Sequence, residues 1–195
     1  MDKKRIAFVT AALSLSLVVG SVAGLNWDKK NNHSSLSVES SFNSLEEEFW
    51  NVDLIVRGTV LDEGQTYKQD SGVNTKGDNS IDITPSTIQI SEVLYGTEAN
   101  GTITYLQHGS SKDIEAKNKF LKKSEEVILI LDKTEDGKYW SYNFDDGIWK
   151  VKNGKVESNT LSKLLNSQPG NSQDLDKFIE KIKKAAKNKK KEANE

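Results

Sequence analysis

Residues Asn51–Asp62 read NVDLIVRGTVLD, and the pairing of this stretch decides the fold. In a strand, side chains alternate between faces, so Val52, Leu54, Val56, Gly58 and Val60 share one side while Ile55, Arg57, Thr59 and Leu61 share the other. The first half is therefore apolar on both faces and calls for cover from two directions. Gly58 removes a side chain where a strand has to coil tightly. Arg57 can lay its stem over apolar neighbours while the guanidinium reaches water or a carboxylate. The Arg-Gly pair thus reads as a structural joint in the first strand of a small sheet.

Further strands follow downstream. ITPSTIQISEVLYG carries Ile88 and Ile90 in alternation, with Pro85 expected to mark its start. GTITYLQHG gives another strand ending at Gly109, and EEVILILDK is apolar throughout Val127–Leu131, as suits the centre of a sheet. The polar stretch between the first two strands is expected to be mobile or to form a protruding hairpin end. GKYWSYNFDDGIWKVKNGKVES reads as a meander, with Asp146-Gly147 and Asn153-Gly154 as turns and with Trp140, Tyr142 and Phe144 on one face. Ser44 can cap a short helix whose first turn holds Glu46, Glu47 and Glu48. Two C-terminal helices are expected, one carrying Leu161, Leu164 and Leu165, the other capped at Asn171 or Ser172 and carrying Leu175, Phe178, Ile179, Ile182 and Ala186. The fold expected is mainly β, of the α+β kind. It is a small antiparallel OB-like barrel or curled sheet with a short N-terminal helix and C-terminal helices.

The amino terminus has its own logic. A basic start, MDKKR, precedes the 19 residues IAFVTAALSLSLVVGSVAG, and Ser21-Val22-Ala23 offers the small side chains a signal peptidase reads. This predicts a signal peptide over residues 1–23, or an uncleaved membrane anchor, with everything beyond it extracytoplasmic. Residues 24–43 read as a flexible polar linker containing a solvated His33, residues 44–158 as the β domain, and residues 159–195 as C-terminal helices with a Lys-rich tail.

The frame SLEEEFWNVDLIVRGTVL, TIQISEVLYGT, GTITYLQHG, FLKKSEEVILIL, GIWKVKNGKV resembles a group of uncharacterised exported or membrane-anchored small β-barrel proteins of Gram-positive bacteria. The likeness spans about Ser44 to Val156. Ser124 stands where that group has glycine, which bears on a turn more than on a site. The resemblance implies a fold and an envelope location, and no catalytic residue.

Composition narrows the chemistry. The chain has no cysteine, so disulfides, thiolate metal sites and cysteine nucleophiles are excluded. His33 and His108 are its only histidines, which excludes a multi-histidine metal site, and no cofactor motif is present. A formal net charge of -2 argues against a nucleic-acid binder. Of the paired carboxylates, Asp62-Glu63, Glu125-Glu126 and Asp145-Asp146, none converges by spacing on one substrate, and Asp145-Asp146-Gly147 reads as turn chemistry. The candidate binding residues are Trp140, Tyr142 and Trp149, as an aromatic platform, with Gln107 in the loop Gln107–Ser111; His108 is the one candidate for catalysis. Three functions remain open. The first is a non-enzymatic envelope module that binds a protein, peptide or wall polymer. The second is a hydrolase or transferase using His108 and a nearby carboxylate. The third is a structural subunit assembled through the C-terminal helix. The C-terminal lysines, Lys181 to Lys191, read mainly as a solvated helix end.

Overall fold

The computed structural model describes residues 42–71, 79–113, 120–158, 160, 162–166 and 172–190. The N-terminal segment, His33, Leu161, Pro169-Gly170, Asn171 and Lys191 lie outside the described residues.

The described residues are mainly β, with nine strands in one mixed sheet. The strands are β1 (Leu54–Glu63), β2 (Tyr67–Asp70), β3 (Ser80–Tyr95), β4 (Thr102–His108), β5 (Glu126–Lys133), β6 (Tyr139–Ser141), β7 (Ile148–Lys152), β8 (Lys155–Glu157) and β9 (Ser172–Asp174). A short helix, α1 (Leu45–Glu48), precedes them, a 3₁₀ turn (Phe144–Gly147) joins β6 to β7, and α2 (Leu175–Lys187) follows β9. The pairings run β1-β3-β4-β6-β5-β7-β8-β9, and β1 also pairs with β5, so the path through β1, β3, β4, β6 and β5 returns to its origin.

The opening stretch sits where that path closes. β1 pairs antiparallel with β3 on one edge and with β5 on the other. Its alternate residues enter two different cores. Leu54, Val56 and Val60 join Ile88, Ile103, Tyr105, Leu121, Val127, Leu129, Leu131 and Tyr139 in one cluster. Ile55 joins Ile128, Ile130, Trp149, Phe178 and Ile182 in the other. The same division along β5 explains why Val127–Leu131 is unbroken apolar sequence, since each residue meets a core whichever way it points.

The Arg-Gly joint is structural. The register of β1 against β3 shifts between Arg57 and Gly58. A Cβ at Gly58 would collide with the Gln89 carbonyl oxygen and stand 2.8 Å from Ile88 Cγ2, so only glycine lets the strands cross this closely. Arg57 donates through Nε to Glu126 Oε1 at 2.7 Å and is also ion-paired to it through Nη2.

Four details depart from the sequence expectations. Pro85 does not begin β3 but lies within it, opposite Leu106. Its carbonyl accepts from the Gly64 amide at 2.8 Å, so its missing N–H faces the gap between β1 and β2, where the ladder is already broken. The sheet is mixed rather than antiparallel, because β4 and β6 meet in parallel at Tyr105 and Tyr139. The chain leaving β4 returns as β5 beside β1, which leaves β6 to fill the place next to β4. Residues 162–166 form turns rather than a helix, anchored by a Leu165 carbonyl that accepts from Gln173 Nε2 and Lys181 Nζ. The N-cap of α2 is Asp174, which accepts from the Lys177 amide, and Ser172 belongs to β9. Asn153-Gly154 does make the β7–β8 turn, both residues at positive φ.

Candidate functional site

The sequence candidates separate into a buried group and a surface group. Trp149 is fully buried: its ring packs 4.2 Å from Phe178 of α2, and its indole N–H donates to the Asp146 carbonyl at 2.9 Å. Tyr142 is also buried, its hydroxyl donating to Glu48 at 2.8 Å. The alternation expected through Trp140, Tyr142 and Phe144 fails because β6 ends at Ser141, and Tyr142 turns inward as its amide donates to the Ile130 carbonyl. Gln107 is buried too. Its side-chain oxygen accepts from the Leu121 amide at 3.1 Å, so it braces the approach to β5. These three residues do not form an exposed platform.

Trp140 and His108 do meet at the surface. Their rings stack at 4.4 Å with an interplanar angle of 17°, and the Phe144 ring lies tilted 5.8 Å from His108. The topology accounts for this. His108 ends β4, and β6 runs parallel beside it, so Trp140 lands next to the imidazole. Register places Tyr67 opposite Ile83 and Ile83 opposite His108, and cross-strand partners share a face. Tyr67, His108, Trp140 and Phe144 thus border one outer face of the sheet, with Ile83 and Leu106 buried beneath it. Phe144 is 42% exposed and adopts φ 41°, a left-handed conformation that a bulky side chain rarely takes.

The surroundings of this face are acidic. Asp132 is the direct cross-strand partner of Trp140. Burial, and after it a hydrogen bond to Asp53 and the charge of Asp53, push the Asp132 carboxyl up to about 6. Asp53 in turn accepts from the Lys133 amide at 3.0 Å. Next to His108 opens a pocket of about 570 Å³ lined by Ile81, Asp82, Gly109, Ser110, Lys112 and Asp113. Burial lowers the His108 pKa, opposed by the charge of Asp145, so the imidazole is neutral at pH 7.

The hydroxyls nearest His108 in sequence have other engagements. The Ser110 hydroxyl accepts from the Lys112 amide, and the Ser111 hydroxyl meets Thr66 Oγ1 at 3.2 Å. The stacked imidazole is placed for contact with a planar or charged group.

A second polar group lies buried under α2. Glu48 accepts from Tyr142 and, at 3.0 Å, from Ser162, while Asp146 accepts from Thr160 at 2.6 Å and from Asn143 at 2.8 Å. Asp146-Gly147 is a turn, but its carboxylate is a buried anchor rather than a solvated one. The remaining carboxylate pairs disperse: Glu125 binds Lys150, Glu126 binds Arg57, and Glu63 accepts from the Lys123 amide.

Sequence reasoning passed over Phe144, Asp53 and Asp132. A signal for Asp132 was present, since Ile128, Ile130 and Asp132 share one parity of β5 and a charge at the end of an apolar row is unusual. Among the described residues no group of histidine, cysteine, aspartate and glutamate could hold a metal ion, and no helix is long and apolar enough to cross a membrane. No protein-family model matches the chain, and no curated protein matches its sequence.

Proposed function

We propose that the chain is a non-enzymatic extracytoplasmic binding protein of the cell envelope, and that its ligand seats on the face formed by His108, Trp140 and Phe144. The basic, then apolar, N-terminus supports the location, and the resemblance to exported Gram-positive proteins belongs to the same proposal. We read the closed circuit β1-β3-β4-β6-β5 as an OB-like barrel, with β2 as a hairpin inserted after its first strand and β7–β9 with α2 as an added layer. Barrels of this kind present ligand sites on one outer sheet face and its bordering loops, and that is where the open aromatic group stands.

The observation that carries the reading is Phe144. An exposed phenylalanine in a left-handed conformation costs about 1–2 kcal/mol of backbone energy, yet its ring is aimed at the surface rather than spent on a core. Strain without burial is what a preorganised contact surface requires.

The test is capture from cell-envelope fractions with the full-length chain and with Trp140→Ala. The expected result is specific retention by the wild type and loss of it in the variant, with both proteins equally folded by circular dichroism. Equal retention by both would remove this face from the function.

A further inference from the structure

The open aromatic face carries a charge pattern that selects its occupant. On one side of Trp140 the neutral imidazole of His108 is stacked. On the other side lies Asp132, which shares a hydrogen bond with Asp53. Two carboxylates held this close repel each other, and a positive charge beside them relieves that repulsion. Asp145 follows Phe144 directly and acts on His108 through its charge. Asp82 and Asp113 border the pocket beyond the imidazole, where Lys112 lines the same pocket and Lys68 is the cross-strand partner of Asp82. Of the lysines near the face, Lys138 is paired to Asp136 at 2.8 Å and Lys133 lies over the ring of Tyr139. Asp132, Asp53 and Asp145 therefore place negative potential beside rings whose own quadrupoles also favour a positive charge.

Resting on the proposed binding face, we propose that its ligand is the cationic side chain of an arginine or lysine displayed by a peptide or protein partner, held against Trp140 with Asp132 and Asp53 as counter-charges. An anionic wall polymer or a phosphate group would meet the same carboxylates as repulsion. A neutral sugar would use the rings and leave the carboxylates idle. A cation supplies what the site lacks, a positive charge beside Asp132 and Asp53 and against the indole ring.

Isothermal titration of the full-length chain in detergent, with end-blocked Gly-Arg repeat hexapeptide as probe, tests this. The control peptide carries citrulline in place of arginine, keeping shape and removing charge. The arginine peptide is expected to bind about tenfold or more tightly than the citrulline one, to weaken as salt is raised, and to lose about tenfold in Asp132→Asn or Asp53→Asn. Equal affinity for both peptides, no measurable affinity for the arginine peptide, or no effect of either Asp→Asn change would overturn the inference. Chitotetraose bound in a Trp140-dependent manner in preference to the arginine peptide would also overturn it, while leaving the binding face intact. Arginine-peptide binding unchanged in Trp140→Ala would overturn the face and its ligand together.

Discussion

Trp140 and Trp149 stand on neighbouring strands of one meander, and the molecule uses them in opposite ways. Trp149 points toward α2, packs tilted against Phe178 and has no exposed surface. Trp140 projects from the same face of β5, opposite Asp132 where Trp149 is opposite Ile128, yet it stacks on a histidine and stays partly open. Nothing intrinsic to an indole separates these fates. The difference is the covering element: α2 lays Leu175, Phe178, Ile182, Ala185 and Ala186 against the core that holds Trp149, and Trp140 is not part of that core. The apolar row of α2 is buried within the chain's own core. A core is thus a pair of surfaces that found each other, and a binding face is one that awaits its second half.

The largest break in this comparison comes from Trp149→Ala. Deleting a fully buried indole leaves a cavity between the sheet and α2 and orphans the Asp146 carbonyl that accepted its N–H. A loss of about 3–5 kcal/mol is expected in urea denaturation, whereas Trp140→Ala should cost about 1 kcal/mol or less because its ring is only partly covered. Equal losses at the two positions would mean that the outer face of Trp140 is core after all.

The next effect depends on pH and concerns the polar groups of the two regions. Glu48, buried under α2, has its pKa raised, by burial first and foremost; the hydrogen bonds from Tyr142 and Ser162 act against that rise. Its folded value thus exceeds its unfolded value, and between the two the folded state binds more protons than the unfolded state. Stability contributed by this group is therefore greatest below the unfolded value and is lost as pH rises through the folded one. Asp132 has the same sign, with its window running from its ordinary value of 3.8 up to about 6. Denaturation midpoints should rise from pH 7.5 to pH 5 in the wild type. They should rise less in Glu48→Gln, and the difference isolates Glu48, since Asp132 is common to both proteins. An identical pH slope in the two proteins would show that Glu48 is solvated.

Much of the architecture could be read from the sequence, because apolar alternation is a local property. The doubly apolar start of β1, the fully apolar β5, the glycine joint and the Asn153-Gly154 turn all rest on neighbours in sequence. What could not be read rests on partners far apart. Pro85 is tolerated inside β3 only because the β1–β2 gap lies opposite it. β4 and β6 pair in parallel only because β5 is occupied by β1. The candidate site was half legible for the same reason. His108 and Trp140 were both singled out, but which aromatics meet depends on where β6 stops. Tyr142 turned inward to a glutamate ninety-four positions earlier in the chain, and Phe144 took its place beside the histidine. The Asp53–Asp132 contact joins the entrance of β1 to the end of β5 and leaves no local trace.

The smallest effect sharpens the comparison most. Trp149 belongs to an unstrained core, so replacing it can only destabilise. Phe144 holds a left-handed backbone while its ring stays exposed, so replacing it should do the reverse. Asparagine tolerates that conformation because its short polar side chain bonds locally to the backbone. Phe144→Asn should leave stability unchanged or raise it by up to about 1 kcal/mol, measured as the shift in urea midpoint at constant slope. The same variant should retain less ligand from envelope fractions. A ring that costs stability to hold in place and carries binding when it is there has a functional rather than a structural reason to exist. If instead Phe144→Asn lost more than about 1 kcal/mol, the contact with His108 would outweigh the strain, and the uncovered face would be a small core of its own.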